Sequence, residues 1–472
     1  MSVSFALALA ALAVVSFLLA PRAREAGAFF AGRSDDGAPP GVLTLTFSLV
    51  TTWIFARSLL TAAILAFYYG VAGAIAYAAY YLSFFTGLAI VESIRHRHGY
   101  GNLQGFLADR FGRAGTACFN VVIGVRLLSE VFANLLVIGL IFGATGTDAY
   151  TAAIIAMTVV TLAYSMLGGL RASLRTDVFQ MSLLLVALAV LLVALFGQDG
   201  WSLGATLSSS GWTLDSGWNL FLVALLQVWS YPMHDPVMMD RGFLADRRTT
   251  RRAFVHAGWI SILCILAFAA LGVHAGLLAG EGESLNATLE RLFGPTVMTV
   301  FNLALIVSAL STLDSTLSSS AKLAVVDMKL GRPTIANGRI AMLVFTLGGI
   351  AFLFGGTDDL YAAVAVSGTA SMYLAPVIFF SIWGGRDVAL WSYLTAFAAA
   401  MAGAALYFLE AGGHLAFMGP VLGVDVKYDK LLVICIAVLV IGNGAFALGQ
   451  RGRFRQSAGD RRATLGATAE AD

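Results

Sequence analysis

The chain has 472 residues, of which 59% are hydrophobic and only 12% charged, and its net charge is +2. Soluble domains carry about 25% charged residues, so composition excludes a soluble enzyme and indicates a polytopic membrane protein whose main partner is the lipid bilayer. Nothing in the charge balance suggests a nucleic-acid partner. Cys118, Cys264 and Cys435 sit inside apolar runs and read as small core residues, not as a disulfide or metal framework. No phosphate-binding loop, dinucleotide glycine pattern or Cys/His metal spacing is present.

A membrane helix needs about 20 apolar residues, and thirteen segments fit that template. Numbered 0 to 12, they lie near residues 2–20, 41–64, 67–93, 116–143, 147–167, 178–197, 217–239, 254–279, 296–325, 336–355, 359–383, 388–409 and 429–449. The expected architecture is one all-α transmembrane domain over residues 1–456 and a polar tail over 457–472. Helix 0 has no basic residues before it, and its positive charges follow the apolar run, which favours a retained helix over a cleaved signal.

Basic residues set the expected orientation. Placing the N-terminus outside and the C-terminus in the cytoplasm puts 24 of the 29 Lys and Arg in cytoplasmic segments. Only Arg291, Lys427 and Lys430 then fall outside, and Arg57 and Arg126 fall within helices.

Three stretches depart from a plain apolar span. In helix 1, Arg57 sits mid-span, where an arginine costs about 2.5–3.5 kcal/mol on insertion scales. It needs a partner, and Arg126 and Glu130 share one face of helix 3. Either the three lock the helices together, or Arg57 binds an anionic group of a solute through its two-pronged guanidinium. In helix 6, QVWSYPMHDPVMMDRGF contains Pro232 and Pro236, each of which removes a backbone donor and disturbs the preceding turn. A broken helix at mid-membrane survives only within protein or around a watery cavity. Trp53, Tyr231, His234 and Asp235 would complete a polar, aromatic pocket there, and His234 offers an alternative role in proton movement.

In helix 8, residues 308–327 read SALSTLDSTLSSSAKLAVVD. Ser308, Ser311, Thr312, Ser315, Ser318, Ser319 and Lys322 share a face at helical spacing. A lone hydroxyl can bond the carbonyl four residues back. Eight hydroxyls and Asp314 within thirteen residues instead suggest a face turned to an ion, water or another helix.

Residues 164–180, YSMLGGLRASLRTDVFQ, resemble the signature of the sodium/solute symporter family, a Tyr-Thr-x-x-Gly-Gly-Leu-x-Ala turn followed by Thr-Asp-x-x-Gln. FFAGR at 29–33, FLADRFG at 106–112 and Ser311-Thr312-Leu313-Asp314-Ser315 resemble three further family segments in the same order. The resemblance implies a leucine-transporter-like fold, with helices 1–5 (41–197) repeated upside down as helices 6–10 (217–383), one extra helix before and two after.

It also implies a sodium-coupled secondary symporter of the inner membrane, importing a small organic solute, with no covalent chemistry; the positive charge of Arg57 and Arg126 favours an amino acid or carboxylate over a neutral sugar. In such a family the sodium ion, a hard cation suited to oxygen ligands, takes two hydroxyls and a carbonyl from helix 8 and two carbonyls from helix 1. Carried over, these are Ser311 and Thr312, the carbonyl of Ser308, and the carbonyls of Thr51 and Ile54. Helix 1 departs from the family by lacking a Gly-Pro after this segment. Asp177, at the inner end of helix 5, matches an aspartate on the family's sodium exit path; its alternative role is a carboxylate stabilised by a helix N-terminus. Two other readings stay open: proton coupling through His234, Asp235 or Asp314, and a transporter-like membrane sensor, although no kinase is expected after helix 12. The sequence does not set the oligomeric state.

Overall fold

The computed structural model describes residues 3–353 and 360–453; the start of predicted helix 10 and the polar tail lie outside them. Nine described helices are long and apolar enough to cross a membrane, accompanied by the shorter apolar helices Phe5–Leu19, Val42–Trp53, Trp218–Gln227 and Leu374–Trp383. Several long helices contain a turn. Ala56–Ala79 changes direction at Gly70, where φ is 58°, so the end of predicted helix 1 and the start of helix 2 share it. Gly112 and Gly294 interrupt Leu103–Phe142 and Leu285–Lys322 in the same way.

The chain forms two compact units, each assembled from separate stretches. One comprises Met1–Tyr81, Leu127–Phe221 and His256–Leu360; the other comprises Leu82–Arg126, Leu222–Val255 and Tyr361–Asp472. Each unit therefore draws on both of the predicted sequence repeats.

In the first unit, Leu285–Lys322 packs along Leu170–Phe196 and also meets Val42–Trp53, Ala56–Ala79, Asp148–Gly168 and Ile335–Phe352. Every residue from Ala304 to Ala321 is buried. A helix enclosed on all sides must satisfy its polar groups within protein, and its hydroxyls other than Ser319 do so by bonding neighbouring helices and their own turns. Gly272 and Gly276 allow another close approach. A Cβ at Gly272 would lie 2.1 Å from the Ala63 carbonyl oxygen, and one at Gly276 would lie 2.3 Å from that of Phe67. Small residues four apart bring membrane helices together in this way.

In the second unit, Leu390–Ala411 packs against Lys427–Leu448. The ends of this pair are tied by two short antiparallel strands, Arg386–Val388 and Gln450–Arg453.

Candidate functional site

Helix 1 breaks where the sequence has neither proline nor glycine. Val42–Trp53 ends at Ile54 (φ −85°, ψ 75°), and the next helix, Ala56–Ala79, starts after an extended Phe55. The last carbonyls of a helix lack intrahelical donors, and here other side chains supply them. Tyr81 donates its hydroxyl to the Trp53 carbonyl at 2.9 Å. Thr312 donates to the Thr51 carbonyl at 3.2 Å and to that of Ser308 at 2.9 Å. Ser308 donates to the Ile54 carbonyl. Ser308 and Thr312 of helix 8 therefore meet Thr51 and Ile54 of helix 1, and all four, like Ser311, are buried.

Asp177 joins this cluster from a third helix. Its carboxylate accepts from Ser311 at 2.7 Å, Ser48 at 2.6 Å and Ser173 at 3.4 Å. The alternative reading of Asp177 as a helix N-terminal carboxylate does not hold. Its helix begins at Leu170, directly after Gly169 (φ 56°), so Asp177 lies two turns inside, beyond the reach of the dipole's end. The charges of Arg171 and Arg175 made these turns resemble a loop.

Asp314, which lay off the main hydroxyl stripe, is fully buried and accepts from Thr176 at 2.8 Å and from Ser315 at 3.3 Å. A contact of 2.8 Å between the Ser173 and Ser315 hydroxyls links the two carboxylates' surroundings. Ser48, Ser173 and Thr176 were missed in the sequence. Ser48 lies one turn before Thr51, a spacing that could have marked it. Lower on the stripe, Ser318 and Ser320 donate to carbonyls of their own helix, those of Asp314 and Leu317.

Of the residues proposed for solute contact, Trp53, Arg57 and Glu130 lie in the first unit. Arg57 is the second residue of its helix and only 2% exposed; its guanidinium lies 5.7 Å from the Phe55 ring, and its buried Nε has no hydrogen-bond partner. Arg57 makes no ion pair among the described residues, so the alternative in which Arg57, Glu130 and Arg126 lock the helices lacks its Arg57–Glu130 pair. Glu130 accepts from Thr316 at 3.4 Å. Trp53 stacks edge-on with Tyr81 at 5.8 Å.

Tyr231, His234 and Asp235 lie in the second unit, where predicted helix 6 divides into Trp218–Gln227, Tyr231–His234 and Pro236–Arg241. Asp235 caps the third piece, accepting from the Met238 amide at 2.8 Å, with Pro236 in the first helical position, where its missing N–H costs nothing. Its other oxygen lies 3.4 Å from the Arg126 guanidinium, which also stands 5.6 Å from the Tyr231 ring. Asp235 is therefore tied into the fold more firmly than a solute ligand requires. The His234 Nε2 contacts the Ser367 hydroxyl at 3.1 Å, and its buried Nδ1 has no hydrogen-bond partner.

Interrupted helices whose freed carbonyls face a hydroxyl-rich helix are features of a fold shared with solved structures. The structure is similar to a substrate-bound, outward-open sodium-coupled sialic acid symporter, with TM-score 0.67 and 14% identity over 96% of this chain and 98% of that one. It is also similar to Mhp1, a nucleobase-cation-symport-1 family transporter, closed with bromovinylhydantoin bound (TM-score 0.55, 16% identity, 91% and 94% covered). The inward-facing form of Mhp1 gives TM-score 0.51 at 16% identity, with 88% and 93% covered. No curated protein matches the chain by sequence. The sequence model of the Sodium:solute symporter family matches residues 29–210, so this part of the chain is similar to that family.

Proposed function

We propose that the protein imports a small organic acid or amino acid across the inner membrane together with sodium, its N-terminus outside and its C-terminus in the cytoplasm, using thirteen spans with an inverted repeat. The observation that carries this reading is the bonding of helix 8 to the broken end of helix 1, Thr312 to the Thr51 and Ser308 carbonyls and Ser308 to the Ile54 carbonyl, with the neighbouring Ser311 on Asp177. Such neutral oxygens suit a hard cation and let it leave again. Sodium bound there would hold Val42–Trp53 against Leu285–Lys322 by replacing hydrogen bonds that now join them directly. Asp177, one hydrogen bond from Ser311, would receive the ion on its way inward.

On the solute side, a buried Arg57 with an unsatisfied Nε favours a carboxylate, which would neutralise it and accept from it. The sodium-coupled sialic acid symporter of the same fold lends weight to an acidic solute. Trp53, Glu130, Tyr231 and His234 remain candidate solute contacts in their own units, and Asp235 positions Arg126 and the Pro236–Arg241 helix. Moving one charge through 100 mV yields about 2.3 kcal/mol, and a tenfold sodium gradient adds about 1.4 kcal/mol. Together they would concentrate a neutral solute several hundredfold per ion if binding is coupled.

A second reading, proton coupling, draws on Asp314, a buried carboxyl close to the Asp177 cluster. Uptake by purified protein in liposomes separates the two readings. Sodium coupling requires uptake to collapse when potassium replaces sodium. Uptake that persists in potassium and follows a proton gradient would overturn it.

A further inference from the structure

A groove away from the candidate ion and solute residues is lined by the ends of three helices. Phe5–Leu19 stops there, and Val42–Trp53 and Leu170–Phe196 begin there. Along Leu170–Phe196 the basic Arg171 and Arg175 precede the apolar run that starts at Val178, so the groove spans a step from polar to apolar sequence. The cavity holds about 530 Å³, and its walls combine Leu19, Leu174, Phe179 and Thr44 with the guanidinium-bearing Arg171 and Arg175. That volume lies within the usual range for a small-molecule site.

The groove is built by the fold. Asp35 grips Arg171 with two bonds of 2.5 and 2.8 Å, which pins the 32–41 segment over the first turn of the Leu170–Phe196 helix. Ser34 closes the segment by bonding the Ala38 carbonyl at 3.0 Å, and Pro39 and Pro40 stiffen the wall that follows. Gly32 (φ 65°) admits the closest approach to the floor; a Cβ there would sit 2.5 Å from Leu174 Cδ1.

The charges are unevenly matched. Arg171 is neutralised by Asp35, and Asp36 accepts from Ser34 and from the Ala38 amide at 3.4 Å. Arg175, exposed one turn further along the helix, makes no hydrogen bond or ion pair among the described residues. The apolar wall continues past it to Val178 and Phe179, which are half-buried, and to exposed Ser182.

We propose that this groove binds an anionic phospholipid, its phosphate on Arg175 and one acyl chain along Leu174, Val178 and Phe179. A cation at the boundary above an apolar channel matches an amphiphile with an anionic head. A soluble anion would leave the apolar wall unused, and a zwitterionic lipid would gain little from the unpaired charge. The lipid would lie on the face of the Leu170–Phe196 helix beside Asp177 and against Thr44, one turn from Ser48, bracing the two helices joined by the Ser48–Asp177 bond.

Native mass spectrometry of the full chain in detergent, titrated with phosphatidylglycerol or phosphatidylcholine, tests this without relying on transport. The expected result is retention of phosphatidylglycerol at least about fivefold tighter than phosphatidylcholine, the scale of one basic residue at an anionic surface. That preference should disappear in Arg175→Gln, and Ser182→Trp, which fills the apolar end, should weaken retention of both lipids. Equal retention of the two lipids, or an undiminished preference in Arg175→Gln, would overturn the proposal. Millimolar inorganic phosphate is the remaining arm. If phosphate alone displaces the bound lipid completely, the site takes a soluble anion and the lipid assignment fails; partial competition that leaves the lipid bound supports it.

Discussion

Ser311 donates its hydroxyl to Asp177 at 2.7 Å, joining two helices through residues 134 positions apart. Through this bond the oxygen cluster on helices 1 and 8 is continuous with a buried carboxylate on helix 5. The same carboxylate accepts from Ser48, so one acid bonds both Val42–Trp53 and Leu285–Lys322. Asp177 is thus placed to sense whether Val42–Trp53 and Leu285–Lys322 are together.

Thr312→Ala should raise the sodium concentration for half-maximal uptake by about ten- to hundredfold, since losing one buried polar partner costs about 1–3 kcal/mol. Thr312→Ser should stay within a few fold of the native protein. Sodium titration of uptake in proteoliposomes checks both, and an unshifted sodium dependence in Thr312→Ala would remove the site from helix 8.

Asp177→Ala would leave Ser48 and Ser311 without their acceptor, and about 1–3 kcal/mol of stability should be lost for each hydroxyl left unsatisfied. Asp177→Asn keeps one acceptor oxygen and should lose less. Thermal unfolding of the purified variants ranks them. Ser48→Ala, which removes a donor and leaves the carboxylate its other partners, should fall closest to the native protein.

Arg57 and Arg126 should respond in opposite ways. Arg57→Gln removes a buried cation that has no ion-pair partner, so stability should hold or rise while uptake of a carboxylate solute is lost. Arg126→Gln strands Asp235, and breaking a buried pair costs about 3–5 kcal/mol. Unfolding and uptake measured on the same preparations separate these outcomes; a strongly destabilised Arg57→Gln would contradict the solute-binding role.

Gly272→Ala should destabilise the first unit by about 1–3 kcal/mol, the usual cost of overpacking, because the new methyl meets the backbone of Ala63 and not a yielding side chain. Thermal unfolding measures it directly, and an unchanged transition would show that the two helices can part.

A pH dependence is expected in the loop before Leu285–Lys322. Arg291 forks onto Glu283 at 2.9 and 2.6 Å, and the Gly280 amide donates at 2.9 Å. The Arg291 hydrogen bonds, then that of Gly280, hold the carboxyl at about 2, against an ordinary 4.5. A carboxyl lowered by folding stabilises above its ordinary value, and the contribution is lost as pH falls through the folded one. The difference in unfolding temperature between the native protein and Glu283→Gln should therefore be largest above pH 5 and shrink as pH falls towards 2.

Hydropathy, charge asymmetry and the hydroxyl spacing of residues 308–320 were legible in the chain because each is a local property. The bilayer demands about 20 apolar residues per span, and a helix repeats its faces every three or four positions. From these came the membrane class, most helix positions and the polar face of the eighth helix, while Pro232 and Pro236 marked the broken sixth. The break after Trp53 was not legible, because no proline or glycine marks it; its freed carbonyls are held by Tyr81, Ser308 and Thr312. Nor could the sequence choose a partner for Asp177, since Ser48 lies 129 residues away and looks like any other membrane serine. It grouped Arg126 with Arg57 and Glu130, where the fold sets Asp235, a helix cap from a different segment, beside Arg126. Spans follow from what each residue prefers as a solvent. The pairing of polar groups inside them follows from which helices the folded chain brings within hydrogen-bond reach, and only the tertiary structure decides that.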